Sequence, residues 1–255
     1  MKQELSGWLN QLKLWGAKES VEYRLAEALK ENYTFQDFLG LVLEDEVLYR
    51  KNKKSERLRR RAIFKDNARL EDFTASNERG VTKSMIKQIG TLDFVEQNHN
   101  IILVGPTGVG KSFLAQAMGH RACSSGMETF FIRVNRLLKN LEAENAAGSF
   151  LKYINKLSKI KILILDDFGL RNYTHEEANT LCDILEDRYQ KGVVIITTQV
   201  RPAGWKTLFA DPVIADAIID RLVPCAHVIE LKSGKSGSFR ESQGPKKKMS
   251  ENEEK

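Results

Sequence analysis

The sequence predicts an α/β protein: a five-stranded parallel sheet with helices on both faces, preceded by a small all-helical domain. From residue 101 onward, five short β-branched runs alternate with helical patterns, as in parallel sheets whose strands are joined by crossover helices. A glycine-rich segment joins the first of these strands to the helix that follows it. Residues 1–61 carry helical periodicity.

The five strands are predicted from short apolar runs, at residues 101–104, 129–134, 160–165, 193–197 and 227–231. Capping patterns mark three of the helix starts. Thr34–Asp37 and Thr174–Glu177 have the spacing of capping boxes, and Asp211 precedes a first-turn proline.

Length and composition exclude several classes of protein. With 42% hydrophobic and 29% charged residues among 255, we expect a soluble globular protein. No apolar run approaches the roughly 20 residues of a membrane span, so we expect no membrane partner. Cys123, Cys182 and Cys225 are widely spaced, which indicates free thiols in a reducing cytosol and predicts a cytoplasmic protein.

Positive charge is concentrated in one stretch, residues 50–61, called the basic segment below. Its net charge is +7 against +6 for the whole chain, so the remainder sums to −1. We predict that it binds DNA phosphates; the alternatives are a solvated helix face and a contact with an acidic protein. The predicted DNA-binding residues are Arg50, Lys51, Lys53, Lys54, Arg57, Arg59, Arg60 and Arg61.

The glycine-rich segment Gly105–Ser112 has the G-x-x-x-x-G-K-S pattern of a phosphate-binding loop and is called the P-loop below. Its backbone N–H groups would surround the phosphates of ATP, Lys111 would contact the β- and γ-phosphates, and the Ser112 hydroxyl would ligate Mg²⁺. The alternative is a glycine-rich turn that binds nothing. The predicted nucleotide-binding residues are Gly105, Pro106, Thr107, Gly108, Val109, Gly110, Lys111, Ser112 and Phe113.

Two carboxylates, Asp166 and Asp167, follow the third predicted strand directly, which is the Walker B arrangement. We predict that Asp166 holds Mg²⁺ and that Asp167 orients and deprotonates the attacking water. The alternative is that the two acids cap a helix.

Four further residues are candidates for contact with the γ-phosphate, in two pairs of a first and a second choice. Thr198 ends the fourth predicted strand, at the sheet edge where nucleotides bind, and Gln199 is the second choice; a plain turn is the alternative. Arg221, at the end of a helix, is predicted to reach the nucleotide of a neighbouring subunit, with a surface salt bridge as the alternative. Arg188 is the runner-up for that role.

Taken together, these motifs resemble the IstB-like AAA+ ATPases, which help transposition and are related to the DnaC-type helicase loaders. The resemblance covers roughly residues 1–231. It is carried by Gly105–Ser112, Leu163–Gly169, Leu185–Tyr189, Ile195–Gln199 and Asp211–Val223.

The resemblance implies an AAA+ P-loop fold and an ATP-controlled homo-oligomer, formed through the ATPase domain, that binds duplex DNA and works with a transposase. It assigns Thr198 to sensor 1 and Arg221 to the arginine finger, and by analogy the segment Leu70–Phe73 borders the adenine. Two features depart from the wider AAA+ pattern. Many AAA+ enzymes carry Asp-Glu where this chain has Asp166-Asp167, although the double Asp suits the IstB-like family. No room is expected after the fifth strand for a helical lid with its sensor-2 arginine.

The expected organisation is therefore a helical DNA-binding domain at residues 1–67, an AAA+ ATPase domain at 68–231 and a disordered tail at 232–255. Three functions fit it: a DNA-binding ATPase that assists a transposase, a DnaC-like replicative helicase loader, and an ATP switch that acts only as a scaffold. The intact Asp166-Asp167 pair argues against the third, and the resemblance favours the first.

Overall fold

The computed structural model describes residues 3–233 and divides into two compact units. The first, called the helical unit, comprises Met1–Arg61 with Cys123–Met127, and the second, called the sheet unit, comprises Ala62–Ala122 with Glu128–Lys255. The division at residues 67 and 68 stays a prediction. The predicted disordered tail lies almost entirely outside the described residues.

The helical unit contains α1 (Gln3–Gln11), α2 (Trp15–Glu31) and α3 (Phe35–Ala62). The backbones of α2 and α3 approach closely at Gly16, where an added Cβ would lie 2.5 Å from the Cβ of Tyr49. Its core cluster is small and consists of the buried residues Ala17, Val21 and Val42, with three partly buried neighbours. The predicted capping box begins α3, because the Thr34 hydroxyl accepts the Asp37 N–H at 3.2 Å.

The sheet unit alternates strands with helices, as predicted. Its strands are β1 (Asn100–Val104), β2 (Thr129–Arg133), β3 (Ile162–Phe168), β4 (Val193–Thr198) and β5 (Ala226–Glu230). Its helices are α4 (Lys83–Thr91), α5 (Asp93–Glu96), α6 (Lys111–Ser124), α7 (Val134–Ala146), α8 (Phe150–Lys159), α9 (His175–Arg188) and α10 (Pro212–Leu222).

All five strands pair in parallel in the order β2-β3-β4-β1-β5, which confirms the predicted sheet. Parallel strands buried on both faces are near-continuous apolar runs, and every residue of β1 and of β4 is buried. One face packs against α7, α8, α9 and α10 in a single large core. On the other face α6 lies against β3, because Gly119 brings its backbone close to Ile164.

One strand differs from its prediction. The third strand was expected to end at residue 165, but β3 continues through both carboxylates to Phe168. Phe168 is fully buried and its ring lies 4.7 Å from that of Trp205. This aromatic packing draws the chain past Asp166 and Asp167 and keeps it in the sheet.

Within residues 3–233, no helix is both long and apolar enough to cross a membrane.

Candidate functional site

The glycine-rich loop leaves the carboxyl end of β1 and leads into α6, which begins at Lys111. Gly108 and Gly110 have φ angles of 84° and 97°, a region that side chains other than glycine rarely adopt. These turns direct the loop back over the first turn of α6, where backbone N–H groups are unpaired and favour anions. The Lys111 ammonium donates to the carbonyl oxygens of Gly105 and Pro106, each at 2.8 Å.

The two carboxylates at the end of β3, called the Walker B carboxylates below, lie on the same side of the sheet edge. Consecutive strand residues normally point to opposite faces. Here the pairing of β3 with β4 shifts between Leu165 and Phe168, and Asp167 has a φ of 60°. As a result Arg133 Nε lies 3.2 Å from Asp167 Oδ2 and 3.8 Å from Asp166 Oδ2.

Thr197, on the neighbouring strand β4, contacts both Walker B residues. Its hydroxyl donates to Asp166 Oδ1 at 2.7 Å and accepts the Asp167 backbone N–H at 3.0 Å. Thr197 is fully buried and Asp166 nearly so, with 2% of its surface exposed. Asp166 is therefore held by a hydroxyl on one side and faces the Arg133 guanidinium on the other.

Burial and neighbouring charges shift the pKa of Asp167. Burial raises the pKa of Asp167, and the neighbouring Asp166 charge raises it further, while Arg133, Lys65 and Lys111 act in the opposite direction. Burial and the Arg133 charge lower the pKa of Lys65, against the attraction of the carboxylates. The P-loop lysine and the Walker B carboxylates thus belong to one cluster of interacting charges.

Sequence reasoning missed three members of this cluster: Thr197, Arg133 and Lys65. Arg133 had a usable signal, because it ends β2 and the carboxyl ends of parallel strands share one edge of the sheet. Thr197 was passed over for its neighbour, and Lys65 precedes the first predicted strand by more than thirty residues, with no pattern that points to the site.

The structure does not bring Thr198 to the carboxylates. Its hydroxyl accepts the Val200 N–H at 3.1 Å and donates to the Val200 carbonyl at 3.2 Å. Because side chains alternate along a strand, Thr198 lies on the opposite face of β4 from Thr197. Gln199 follows the strand and is exposed.

Arg221 lies near the amino ends of the strands, at the end of the sheet opposite the P-loop. Asn100, the first residue of β1, donates its side-chain amide to the Leu222 carbonyl at 3.1 Å, so the end of α10 lies beside the amino ends of the strands. The Arg221 guanidinium pairs with Glu186 and donates to the Ala217 carbonyl at 2.7 Å. Within one subunit it is therefore apart from the P-loop.

Arg188, the second choice for contact with a neighbouring subunit's nucleotide, is buried and bonded to backbone carbonyls. Only 1% of its surface is exposed, and its guanidinium donates to the carbonyls of Leu157, Ile160 and Val193 at 2.6, 2.8 and 3.0 Å. Burial lowers its pKa to about 10. Because these carbonyls occupy the guanidinium inside the unit, it is poorly placed to reach another subunit.

The segment Leu70–Phe73 lies beside the P-loop. The Phe73 ring is 6.5 Å from that of Phe113, the third residue of α6, and the Arg79 guanidinium lies 5.4 Å from the Phe73 ring. Arg79 also donates to the carbonyl of Val109 within the loop, at 3.2 Å. An aromatic ring and a cation therefore border the loop on this side.

The eight predicted DNA-binding residues are all exposed on α3. Ser55, Leu58 and Ala62 are buried and form one stripe along the helix. At about 100° per residue, five of the eight basic side chains lie on the opposite half of the helix: Arg50, Lys53, Arg57, Arg60 and Arg61. Some are paired, since Arg50 contacts Glu46 at 2.6 Å and Arg59 donates to Ser124 at 2.6 Å.

Comparison with known proteins gives consistent matches. The profile of the IstB-like ATP binding protein family matches residues 7–246. A protein of Sinorhizobium fredii, named as an insertion sequence ATP-binding protein, is 35% identical over 228 residues, covering 89% of this chain and 93% of the relative. The ATP-binding protein named for insertion sequence IS1162 of Pseudomonas fluorescens is 35% identical over 201 residues, covering 78% and 87%.

Among solved structures, the DnaC helicase loader superposes with a TM-score of 0.52 at 20% identity, covering 65% of this chain and 97% of that one. This likeness concerns the fold, which is that of an AAA+ P-loop protein. The family profile spans nearly the whole chain, and the relatives cover most of it. The chain therefore belongs to the family of IstB-like ATP-binding proteins.

Proposed function

We propose that this protein is a Mg²⁺-dependent ATPase that oligomerises on duplex DNA and assists a transposase in DNA transposition. The observation that carries the ATPase part is the charge cluster of Lys111, Asp166 and Asp167 at the carboxyl ends of the strands, in which Thr197 joins the two acids. Membership of an ATP-binding family supports the nucleotide.

In this proposal the backbone of residues 105–112 and the start of α6 bind the phosphates of ATP. Lys111 leaves the loop carbonyls to neutralise the β- and γ-phosphates, since an ammonium on a flexible stem rearranges easily. Leu70–Phe73 borders the adenine, and Arg79 lies next to it. ATP is cleaved to ADP and phosphate.

Ser112 and Asp166 fit a magnesium site. Mg²⁺ prefers hard oxygen ligands and is held in such sites by one or two carboxylates together with substrate phosphates and waters. A hydroxyl at the start of α6 and a nearly buried carboxylate on β3 are that donor set. In residues 3–233 no group of three or more His, Cys, Asp or Glu side chains is arranged to hold a metal, so the nucleotide would complete the coordination. When bound, the ion neutralises charge on the β- and γ-phosphates.

Asp167 is the proposed general base. It accepts a proton from the attacking water, and a pKa raised by burial brings a carboxylate closer to the working pH of a base. Thr198 remains the proposed γ-phosphate sensor; that role requires its hydroxyl to leave the Val200 backbone.

Oligomer formation is proposed through the sheet unit, with Arg221 acting on the nucleotide of the neighbouring subunit. Its position at the sheet edge opposite the P-loop supports action in trans rather than in cis. For this, the guanidinium must exchange Glu186 for the neighbour's γ-phosphate.

Binding to duplex DNA is proposed for the basic segment of α3. A helix face of clustered Lys and Arg neutralises phosphates without reading bases, and no aromatic residue is interleaved there for stacking on unpaired bases. Several such segments in one oligomer would add avidity.

A transposase is the favoured partner because the relatives with 35% identity are named for insertion sequences. The alternative, a helicase loader, is supported by the likeness to DnaC, which concerns the fold alone.

The decisive experiment measures phosphate release from Mg-ATP by the full-length protein, alone, with duplex DNA, and with both DNA and an insertion-sequence transposase. We expect release that depends on Lys111 and increases with both additions. Release no greater than that of Lys111→Ala would refute the ATPase. Stimulation by a replicative helicase and single-stranded DNA instead would favour the loader.

A further inference from the structure

The hydroxyl of Thr197 is buried beside the Walker B carboxylates and is fixed by two hydrogen bonds. It interrupts the apolar run Val193–Ile196 on a strand with no exposed residue. Burying a hydroxyl without hydrogen bonds is costly, so valine is the expected residue at such a position. Both hydrogen bonds of this hydroxyl go to the Walker B residues, one to the Asp166 carboxylate and one from the Asp167 backbone.

The second of these bonds lies at the irregularity in β3. The strand advances three residues from Leu165 to Phe168 while its partner advances two, from Ile196 to Thr198. This is a β-bulge, in which one residue is extra and lies outside the regular ladder. The N–H of Asp167 donates to Thr197 Oγ1 there, so a side chain takes the place of a ladder carbonyl.

The bulge is what puts both carboxylates on one side. Without the extra residue and the φ of 60° at Asp167, the two side chains would alternate across the sheet. Aspartate is among the residues that tolerate this conformation best, but it still needs support from its surroundings. Thr197 provides that support at the backbone of Asp167.

We propose that Thr197 is a positioning residue for hydrolysis: its hydroxyl fixes the Asp166 carboxylate for the metal and the Asp167 backbone for the attacking water. The inference rests on the proposed ATPase function. In this role Thr197 acts through the two acids, to which both of its hydroxyl hydrogen bonds go. It is distinct from the sensor role proposed for Thr198, whose hydroxyl bonds to the Val200 backbone on the opposite face.

Removal of the hydroxyl has a defined consequence. Asp166 loses its donor at 2.7 Å and is left with the Arg133 guanidinium, 3.8 Å away, as the competitor for its charge. The metal must then compete with an arginine for a carboxylate that is no longer oriented. Asp167 loses the acceptor for its N–H, so the bulge loosens while the P-loop is untouched.

The test compares Thr197→Val, which keeps the shape and removes the hydroxyl, with Thr197→Ser, which keeps the hydroxyl. A matched control is Thr180→Val in α9, because the Thr180 hydroxyl donates to a helix carbonyl outside the site at 2.9 Å. Mn²⁺ affinity is measured by electron paramagnetic resonance in the presence of a non-hydrolysable ATP analogue. Hydrogen exchange of the Asp167 amide is measured on the nucleotide-free full-length protein, and kcat and KM for ATP are measured on all variants.

For Thr197→Val we expect Mn²⁺ affinity and kcat each to fall about 10- to 100-fold, the size of one hydrogen bond to a charged group, with KM for ATP within about 3-fold of wild type. Exchange of the Asp167 amide should be faster. Thr197→Ser should restore all three quantities to within about 3-fold, and Thr180→Val should match wild type.

Thr197→Val with wild-type Mn²⁺ affinity and wild-type Asp167 exchange would overturn the inference. Equal loss in Thr197→Val and Thr197→Ser would also overturn it, because packing and not the hydroxyl would then matter. If the wild type does not hydrolyse ATP, the proposed function fails, but the metal affinity and the amide exchange still decide the role of Thr197.

Discussion

The two units differ in where their apolar side chains lie. In the sheet unit, β1 and β4 are completely buried, and six large apolar side chains of the described residues are exposed. In the helical unit thirteen are exposed, all within residues 5–48: Leu5, Trp8, Leu12, Trp15, Tyr23, Leu25, Leu29, Tyr33, Phe35, Leu39, Leu43, Val47 and Leu48.

This difference indicates that the two units have different roles. The sheet unit builds a large core of its own, and that core holds the strands whose ends carry the proposed nucleotide site. The helical unit has a small core, a long charged helix and, among its described residues, thirteen exposed large apolar side chains. Substitutions in the sheet unit should therefore affect ATP hydrolysis and the stability of the fold. Substitutions in the helical unit should affect the binding of DNA.

The largest expected effect is on turnover in the sheet unit. Lys111→Ala removes the ammonium that we propose contacts the β- and γ-phosphates, so we expect ATP hydrolysis to fall by about 10³-fold or more. The fold should persist, because the ammonium donates to two carbonyl oxygens of the loop itself, those of Gly105 and Pro106. Phosphate release and circular dichroism of the same preparation check both statements, and residual turnover near wild type would contradict the site.

One substitution in each unit tests whether the two units differ in how tightly their apolar side chains are packed. Phe168→Ala deletes a fully buried ring against Trp205 and should lower the free energy of unfolding by about 3–5 kcal/mol. Leu43→Ala, at a side chain on α3 that is 48% exposed, should lower it by less than about 0.5 kcal/mol. Urea unfolding of the nucleotide-free chain measures both, and equal losses would remove the contrast.

Removal of positive charge from α3 tests whether the helical unit binds duplex DNA. If about five basic side chains contact phosphates, log K for duplex DNA falls with log[salt] at a slope of about −4 to −5 per subunit. Replacing Arg57, Arg59, Arg60 and Arg61 by Ala should flatten this slope by up to roughly 3 to 4 units. The measurement is a salt titration with a non-hydrolysable ATP analogue, and ATP binding controls for folding. Equal slopes would move the DNA site to other lysines and arginines.

The pH dependence of hydrolysis tests the charge cluster at the sheet edge. The Arg133 guanidinium holds the pKa of Asp167 down against burial and Asp166. In Arg133→Ala that pKa should rise further, so the base is protonated at higher pH and the acid limb of kcat moves upward. The ratio of variant to wild-type kcat should therefore fall as the pH decreases. A ratio independent of pH would remove Asp167 as the titrating base.

The smallest expected effect is on thermal stability. An acid whose pKa is raised by folding binds its proton more tightly when folded, so its charge destabilises the fold at pH values above that raised pKa. Asp167→Asn removes this penalty, and asparagine, like aspartate, tolerates a φ of 60°. We expect Tm to rise by about 1–3 °C near neutral pH, with the gain vanishing as the pH falls below the ordinary carboxyl range. Scanning calorimetry at two pH values is the check, and a gain that persists in acid would refute the charge explanation.

Much of the sheet unit was predictable because its signals are local. The apolar runs, the glycines of the P-loop and the capping boxes act over a few residues, and each appears in the structure near its predicted position. The length of β3 was not predictable from its run of Ile and Leu. Its end is decided by Phe168, whose packing partners Tyr173, Trp205 and Phe209 lie later in the chain.

By itself the sequence determined the order of strands and helices, the P-loop, the Asp166-Asp167 pair and the concentration of charge on α3, since each depends on spacing along the chain. Only the tertiary structure decided that Thr197 and not Thr198 contacts the carboxylates, that Arg133 and Lys65 act on them, and that Arg221 lies at the opposite edge. The physical reason is register: one extra residue in β3 changes which side chains share a face, and no local pattern records it.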